Sequence, residues 1–298
     1  MTRTVTVGFD GSRESRAAAE WAAREAMLLG RPLKLIHVWE PPPGPLAQAP
    51  LLGAETHQHW KERIPREAAD GLRLRHPGLD VSIEQPQSVR VAETLLAEAG
   101  EAELLVIGSR GLSGIGGFMT GSVGLSVVAH VERPVVLVRA VEQAADKHAD
   151  KGKTAAAPRP VVLGLDTDHD SDELIGFAFA AAARHGACVR AVHSWSPPAY
   201  YAYGMSSALE ADSSFARSKS AALTEVLRPW REKFPHVDVV KEPRYGSPSQ
   251  YLVDASRSAG LLVVGRRPRR GPLGPRIGPV AHAVLHHSHS PVAIVPHS

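Results

Sequence analysis

A glycine-rich segment is the strongest candidate for binding chemistry in this sequence of 298 residues. Its spacing is Gly108-x2-Gly111-x9-Gly121-Ser122, and a helix is predicted to follow from Val123. Glycine permits positive φ and lets successive backbone N–H groups converge on an anion. Gly121 and Ser122 fall at the helix start, where unpaired N–H groups and the helix dipole favour a phosphate. The pattern predicts a phosphate-binding loop; a flexible turn with Ser122 as an ordinary N-cap is the alternative.

Asp10 is a second candidate because it follows directly on an apolar, strand-like run at residues 4–9. A carboxylate just beyond a parallel strand can accept hydrogen bonds from the hydroxyls or the exocyclic amine of a ligand. The alternative is a turn aspartate that helps Ser12 to cap the next helix. Asp166 stands at the equivalent place in the second half of the chain, and either role would explain that repetition.

Other residues with chemical potential are interpreted as structural. His37 and His193 lie on predicted buried strands without a neighbouring Ser or Asp that suggests a triad, so we expect core histidines satisfied by hydrogen bonds. The histidines 286, 287 and 289 lack further ligands at an evident spacing and indicate a helix C-terminus rather than a metal site. Cys188 is the only cysteine, which excludes an intrachain disulfide and a cysteine-based metal cluster.

The chain is a tandem repeat, because four segments of its first half recur in the second at an offset of 156 and then 157 residues. They are 5–10 (VTVGFD) with 161–166 (VVLGLD), 35–39 (LIHVW) with 191–195 (AVHSW), 104–108 (LLVIG) with 261–265 (LLVVG), and 133–138 (RPVVLV) with 290–295 (SPVAIV). A period this long indicates a duplicated domain rather than a solenoid. We predict domains at 1–139 and 160–298, joined by a solvated linker at 140–159.

Strand-like and helical segments alternate within each half. In the first half we expect strands at 4–9, 33–38, 81–84, 104–107 and 135–138, and helices at 13–29, 57–75, 91–99 and 123–131. The strand runs are mostly β-branched and several lack polar alternation, which is typical of parallel sheets buried on both faces. The predicted fold class is α/β: two tandem doubly wound domains, each a five-stranded parallel sheet flanked by helices, Rossmann-like or flavodoxin-like. Such sheets bind ligands beyond the carboxyl ends of their strands, where the winding reverses.

The glycine-rich segment is neither a Walker loop nor a G-x-G-x-x-G turn. It resembles the G-x2-G-x9-G-[ST] motif of the universal stress protein family, and Gly108, Gly111, Gly121 and Ser122 fill its fixed positions. The V-x-V-G-x-D opening at residues 5–10 and the His-Val ending of the second predicted strand agree with that family as well. The resemblance covers nearly the whole chain as two tandem domains. It implies an ATP site in the first domain, with Mg²⁺ left open.

The resemblance also implies which residues meet the nucleotide. Asp10 would lie near the adenine and ribose, and the backbone of Val38 would meet the adenine edge. The full set lies at the ends of strands one, two and four and in the loop: Gly8, Phe9, Asp10, Val38, Ile107, Gly108, Arg110, Gly111, Gly121, Ser122 and Val123.

The second copy departs from the motif. Pro268 stands where the second glycine is expected and cannot take positive φ, while Pro279 replaces the serine and removes a hydroxyl and an N–H donor. Five arginines enter the same loop, at 266, 267, 269, 270 and 276, and arginine suits phosphate contacts. We interpret the loop as degenerate for ATP. A solvated basic surface and an anion-binding loop both remain open for the arginines.

Charge and hydrophobicity limit the classes of partner that we expect for this protein. The formal net charge of +3 is too slight to imply nucleic acid, and the longest nearly apolar stretch, residues 174–183, is too short to cross a membrane. Residues 5–9 are too short for a signal-peptide core, so we expect a cytoplasmic protein. The last strand of each domain is apolar and lies at a sheet edge, so the resemblance implies pairing of the two domains there and allows a homodimer.

Three functions follow as hypotheses. The first is a stress-response or regulatory protein that binds ATP in its first domain. The alternatives are a nucleotide-independent scaffold and a slow ATP-using enzyme. Efficient hydrolysis is not expected, because no general base, Walker-B carboxylate or metal-ligand set is evident in the sequence.

Overall fold

The computed structural model describes residues 3–39, 54–109, 122–140, 157–169, 171–195, 208–267 and 277–297. The chain divides into two compact units, Met1–His148 and Ala149–Ser298. Most of the predicted linker and most of the glycine-rich loop lie outside the described residues.

The first unit is a parallel sheet in the order β3-β2-β1-β4-β5, with helices on the crossover connections. Its elements are β1 (Thr4–Gly8), α1 (Arg13–Leu29), β2 (Leu33–Ile36), α2 (Ala54–Arg75), β3 (Val81–Glu84), α3 (Val91–Ala99), β4 (Ala102–Ser109), α4 (Ser122–His130) and β5 (Val135–Arg139). The chain runs outward from β1 to β3 and then returns past β1 to form β4. The winding therefore reverses between β1 and β4, as expected.

The second unit repeats this plan in the order β8-β7-β6-β9-β10, again with parallel pairing throughout. Its elements are β6 (Val161–Gly164), α5 (Asp172–His185), β7 (Val189–Trp195), α6 (Ala208–Lys233), β8 (Val239–Tyr245), α7 (Pro248–Ala255), β9 (Leu261–Arg266), α8 (Pro279–His287) and β10 (Val292–Pro296). The predicted fold class is confirmed for both units.

Helix α1 shows how local sequence sets an element that carries the site. The Ser12 hydroxyl accepts a hydrogen bond from the Ser15 N–H at 3.2 Å, which caps the first turn. Gly30 ends the helix at φ 61°, a left-handed conformation that glycine adopts without a Cβ penalty. An alanine-rich face of the helix, with Trp21, is buried. The small side chains let α1 lie close to the sheet.

The strands that form the core are buried on both faces. Consecutive residues of β1 (Val5, Thr6 and Val7) are fully buried, as are Leu105 and Val106 in β4. This confirms the interpretation of the non-alternating runs as central parallel strands. Of the helices in the described residues, each is too short or too polar to cross a bilayer.

Candidate functional site

The carboxyl ends of β1, β2 and β4 lie side by side in the first unit. Gly8 pairs with Ile36, and Val7 pairs with Val106. The Phe9 N–H donates to the Ile36 carbonyl at 2.8 Å, which extends the β1–β2 pairing by one residue. Asp10, Val38 and Ile107, which the family resemblance assigns to the nucleotide, are therefore brought to one edge of the sheet.

Asp10 makes the turn that follows β1. Its Oδ1 accepts a hydrogen bond from the Ser12 N–H at 2.9 Å, and its own N–H donates to the Ser15 hydroxyl at 3.3 Å. The residue is exposed. Asp10 thus has the turn role that the sequence offered as an alternative. That its exposed carboxylate binds a ligand stays a prediction.

His37 ties the ends of β1 and β2 together. Its Nδ1 lies 2.8 Å from the Phe9 carbonyl oxygen, and in the second unit the Nδ1 of His193 lies 2.9 Å from the Leu165 carbonyl oxygen. Phe9 is itself buried. The predicted hydrogen bonds are present at both histidines, and His193 is a buried strand residue as expected. His37 differs from the prediction, because it is half-buried and follows β2 rather than lying within it.

Gly108 is a glycine because the start of α1 passes over it. A Cβ at this position would lie 2.7 Å from the backbone carbon of Glu14 and 2.7 Å from the backbone nitrogen of Ser15. Gly8 is tight to a lesser degree, since a Cβ there would lie 3.3 Å from Ile107 Cγ2 and 3.3 Å from Leu95 Cδ2. The sequence predicted that Gly108 belongs to an anion-binding loop. In the structure it also has a packing role, because its lack of a side chain lets the end of β4 lie against the first turn of α1.

We expect Gly108→Ala to lower the free energy of unfolding by about 1–3 kcal/mol, because helix backbone must move to admit the methyl group. Gly278→Ala is the matched control, since φ there is −66° and a Cβ would meet none of the described residues within 4 Å. Urea unfolding of both variants measures the difference. Equal loss of stability in both variants would contradict the packing role.

The glycine-rich loop is bracketed by described residues on both sides. Gly108 lies in β4, while Ser122 is the first residue of α4 and is exposed, as is Val123. Arg110, Gly111 and Gly121 lie outside the described residues. Ser122 was expected to precede the helix and instead begins it.

Arg16 is a residue at this edge that the sequence did not single out. Its Nε donates to the Gly11 carbonyl at 3.1 Å, and its guanidinium carbon lies 5.9 Å from the centre of the Phe9 ring. It places a positive charge beside the Asp10 turn. The available signal was its position in the first turn of a helix that follows a strand end.

In the second unit the equivalent carboxylate is ion-paired. Asp166 Oδ2 lies 2.7 Å from an Arg267 guanidinium nitrogen and 3.1 Å from His169 Nδ1, and Oδ1 accepts from the Asp168 N–H at 3.2 Å. Partial burial alone would raise the pKa of Asp166, but the Asp168 amide, Arg267 and His169 outweigh it and hold that pKa below its usual value. This carboxylate is therefore charged at neutral pH and already neutralised by a side chain of its own unit.

The rest of the second strand-end region also differs from the first. Pro279 opens α8 after Gly278, so no backbone N–H is available at the position that corresponds to Ser122. Pro268 lies outside the described residues. Within the described part of the chain, no group of three or more His, Cys, Asp and Glu side chains is placed to hold a metal ion.

The chain thus has two tandem doubly wound domains, and the first carries the glycine spacing. The model of the universal stress protein family matches residues 1–139 and 158–296. The chain belongs to the universal stress protein family. It is a tandem member, and the predicted resemblance is confirmed for both halves.

Similar universal stress proteins span nearly the same length. A universal stress protein of Mycolicibacterium smegmatis is 33% identical over 302 residues, which cover 98% of this chain and 96% of that protein. One from Mycobacterium tuberculosis is 32% identical over 306 residues, covering 97% and 96%. The crystal structure of a universal stress protein from Archaeoglobus fulgidus has a TM-score of 0.67 at 15% identity and covers 99% of this chain and 98% of its own. That last likeness concerns the fold alone.

Proposed function

We propose that this tandem universal stress protein binds ATP at the carboxyl edge of its first unit and acts as a stress-response or regulatory nucleotide-binding protein. The phosphates would lie against the loop from Gly108 to Ser122 and the start of α4. The adenine and ribose would lie between Asp10 and the end of β2.

The observation that carries the proposal is where the glycine spacing falls in the fold. Gly108 lies at the end of β4, next to the point where the winding reverses, and Ser122 begins a helix. A loop with five further glycines, two of them at the motif positions 111 and 121, joins a strand end to a helix N-terminus. Backbone N–H groups and the helix dipole at such a junction favour a phosphate.

The side chains around the junction support the same ligand. Asp10 supplies an exposed acceptor for hydroxyl or amine groups, and Arg16 supplies a cation within the same turn region. The buried Phe9 and Ile107 give the floor of this edge an apolar character. A base, a sugar and a phosphate chain each find a suitable neighbour.

Asp10→Asn tests the carboxylate against a matched control, Asp166→Asn. We expect Asp10→Asn to weaken ATP binding severalfold, because removing the charge weakens a hydrogen bond of about 1.5–3 kcal/mol. Asp166→Asn should leave the tight ATP site unchanged, since Asp166 is held by Arg267 in the other unit. Isothermal titration calorimetry measures both. The opposite ranking of the two variants would place the ATP site in the second unit.

Pairing of the two domains through their last strands stays a prediction, as does a homodimer. Residues 135–138 and 292–295 are apolar, and each strand is the last in the order of its own sheet. We expect small-angle scattering of the full chain to fit one compact particle. Two flexibly separated domains in the unmodified chain would contradict this expectation.

A further inference from the structure

Two cations from separate elements converge on the Asp166–His169 turn of the second unit. Arg267 follows directly on β9, and its guanidinium reaches Asp166 at 2.7 Å. Lys219 projects from α6, and its Nζ lies 2.8 and 3.0 Å from the two carboxylate oxygens of Asp168. The turn follows β6, the strand that corresponds to β1, so both cations lie at the edge where doubly wound sheets bind ligands.

The carboxylates of these ion pairs are open to exchange. The side chains of Arg267 and Asp166 are 41% and 48% exposed, and Asp168 is 63% exposed, whereas Lys219 is 17% exposed. Exposed ion pairs contribute little to stability, because water solvates both partners well. A phosphate oxygen can replace a carboxylate oxygen on the guanidinium and forms the same charge-assisted, bidentate contacts.

The charge of the second unit favours an anion. Residues 149–298 contain 18 Lys and Arg against 13 Asp and Glu, whereas residues 1–148 contain 16 against 18. The positive excess attracts anions to the unit that carries the two cations. The missing N–H at Pro279 means that phosphate there would be held by side chains rather than by a backbone nest.

We propose that the strand-end region of the second unit binds an oligophosphate through Arg267 and Lys219, which leave Asp166 and Asp168 to take the ligand. A chain of several phosphates can engage both cations at once, whereas a single phosphate engages one. In this proposal the adenine base of ATP does not contribute to the affinity, so tripolyphosphate and ATP bind to this region with similar affinity. This ligand class is distinct from the ATP site of the first unit.

The test titrates the full chain carrying Gly111→Val, which disables the phosphate loop of the first unit, with tripolyphosphate at low ionic strength. We expect Arg267→Gln and Lys219→Gln each to weaken binding about tenfold, the loss of one charged phosphate contact. Asp166→Asn and Asp168→Asn should tighten it, because each removes a carboxylate that competes for a cation. Arg267→Lys should retain part of the affinity, which separates recognition from a folding defect.

Arg257 and Asp254 are the matched controls, since they form an exposed pair at the C-terminal end of α7, just before β9, at the amino edge of the same sheet. Arg257→Gln and Asp254→Asn should change the affinity by less than about twofold. If the variants at the amino edge weaken tripolyphosphate binding as much as Arg267→Gln and Lys219→Gln do, the proposal is overturned in favour of diffuse electrostatic attraction. Unchanged affinity for tripolyphosphate in Arg267→Gln and Lys219→Gln would also overturn it.

Discussion

Gly111→Val should abolish tight ATP binding while the protein stays folded. Gly111 is the second fixed glycine of the loop after β4, where backbone N–H groups are expected to converge on the phosphates. A β-branched side chain disfavours positive φ and blocks close approach of the backbone. Losing one or two phosphate hydrogen bonds at roughly 1.5–3 kcal/mol each lowers the affinity at least about tenfold.

Gly278→Val is the matched control for that substitution. Gly278 lies at the end of the corresponding loop of the second unit, and a Cβ there would meet no atom of the described part of the chain within 4 Å. Calorimetric titration with ATP should give an affinity like that of the unmodified chain. If folded Gly111→Val binds ATP unchanged, the loop of the first unit is not the phosphate site.

One ATP per chain should bind tightly. In the first unit the loop ends at Ser122, which offers a hydroxyl and an N–H at the start of α4; in the second, Pro279 offers neither. Asp166 is also paired with Arg267, so its carboxylate is engaged before any ligand arrives. Any binding of ATP phosphates by Arg267 and Lys219 should be weaker by at least about tenfold.

Calorimetry on the unmodified chain measures this stoichiometry directly. We expect a transition near one ATP per chain. At low concentration, tripolyphosphate should displace ATP only from the weaker site in the second unit. Two equivalent sites of similar affinity would contradict the assignment, since side-chain cations would then substitute fully for the missing backbone donors.

Much of the fold follows from local pattern. The β-branched runs at residues 4–9 and 104–107 became central strands because burial on both faces requires continuous apolar sequence. The predicted bounds of α1, residues 13–29, were correct, since capping by Ser12 and left-handed φ at Gly30 depend on the residue itself. The internal repeat then predicted the same fold for the second unit.

The site was less predictable where contacts join distant residues. Nothing local to Gly108 indicates that the backbone of Glu14 and Ser15 passes 2.7 Å from its missing Cβ. The pair between Asp166 and Arg267 joins residues 101 positions apart, and its partners were identified separately as a strand-end carboxylate and a loop arginine. Packing and long-range ion pairs depend on the assembled sheet, which sequence spacing does not describe.

Mass spectrometry of the small molecules released on denaturing the purified protein tests the central claim most directly. We expect an adenine nucleotide triphosphate from the unmodified chain and its loss from Gly111→Val purified in the same way. Retention by Gly278→Val would show that the loss is specific to the first unit. An unmodified chain that releases no nucleotide and takes up none when ATP is added would contradict the account and favour a nucleotide-independent scaffold.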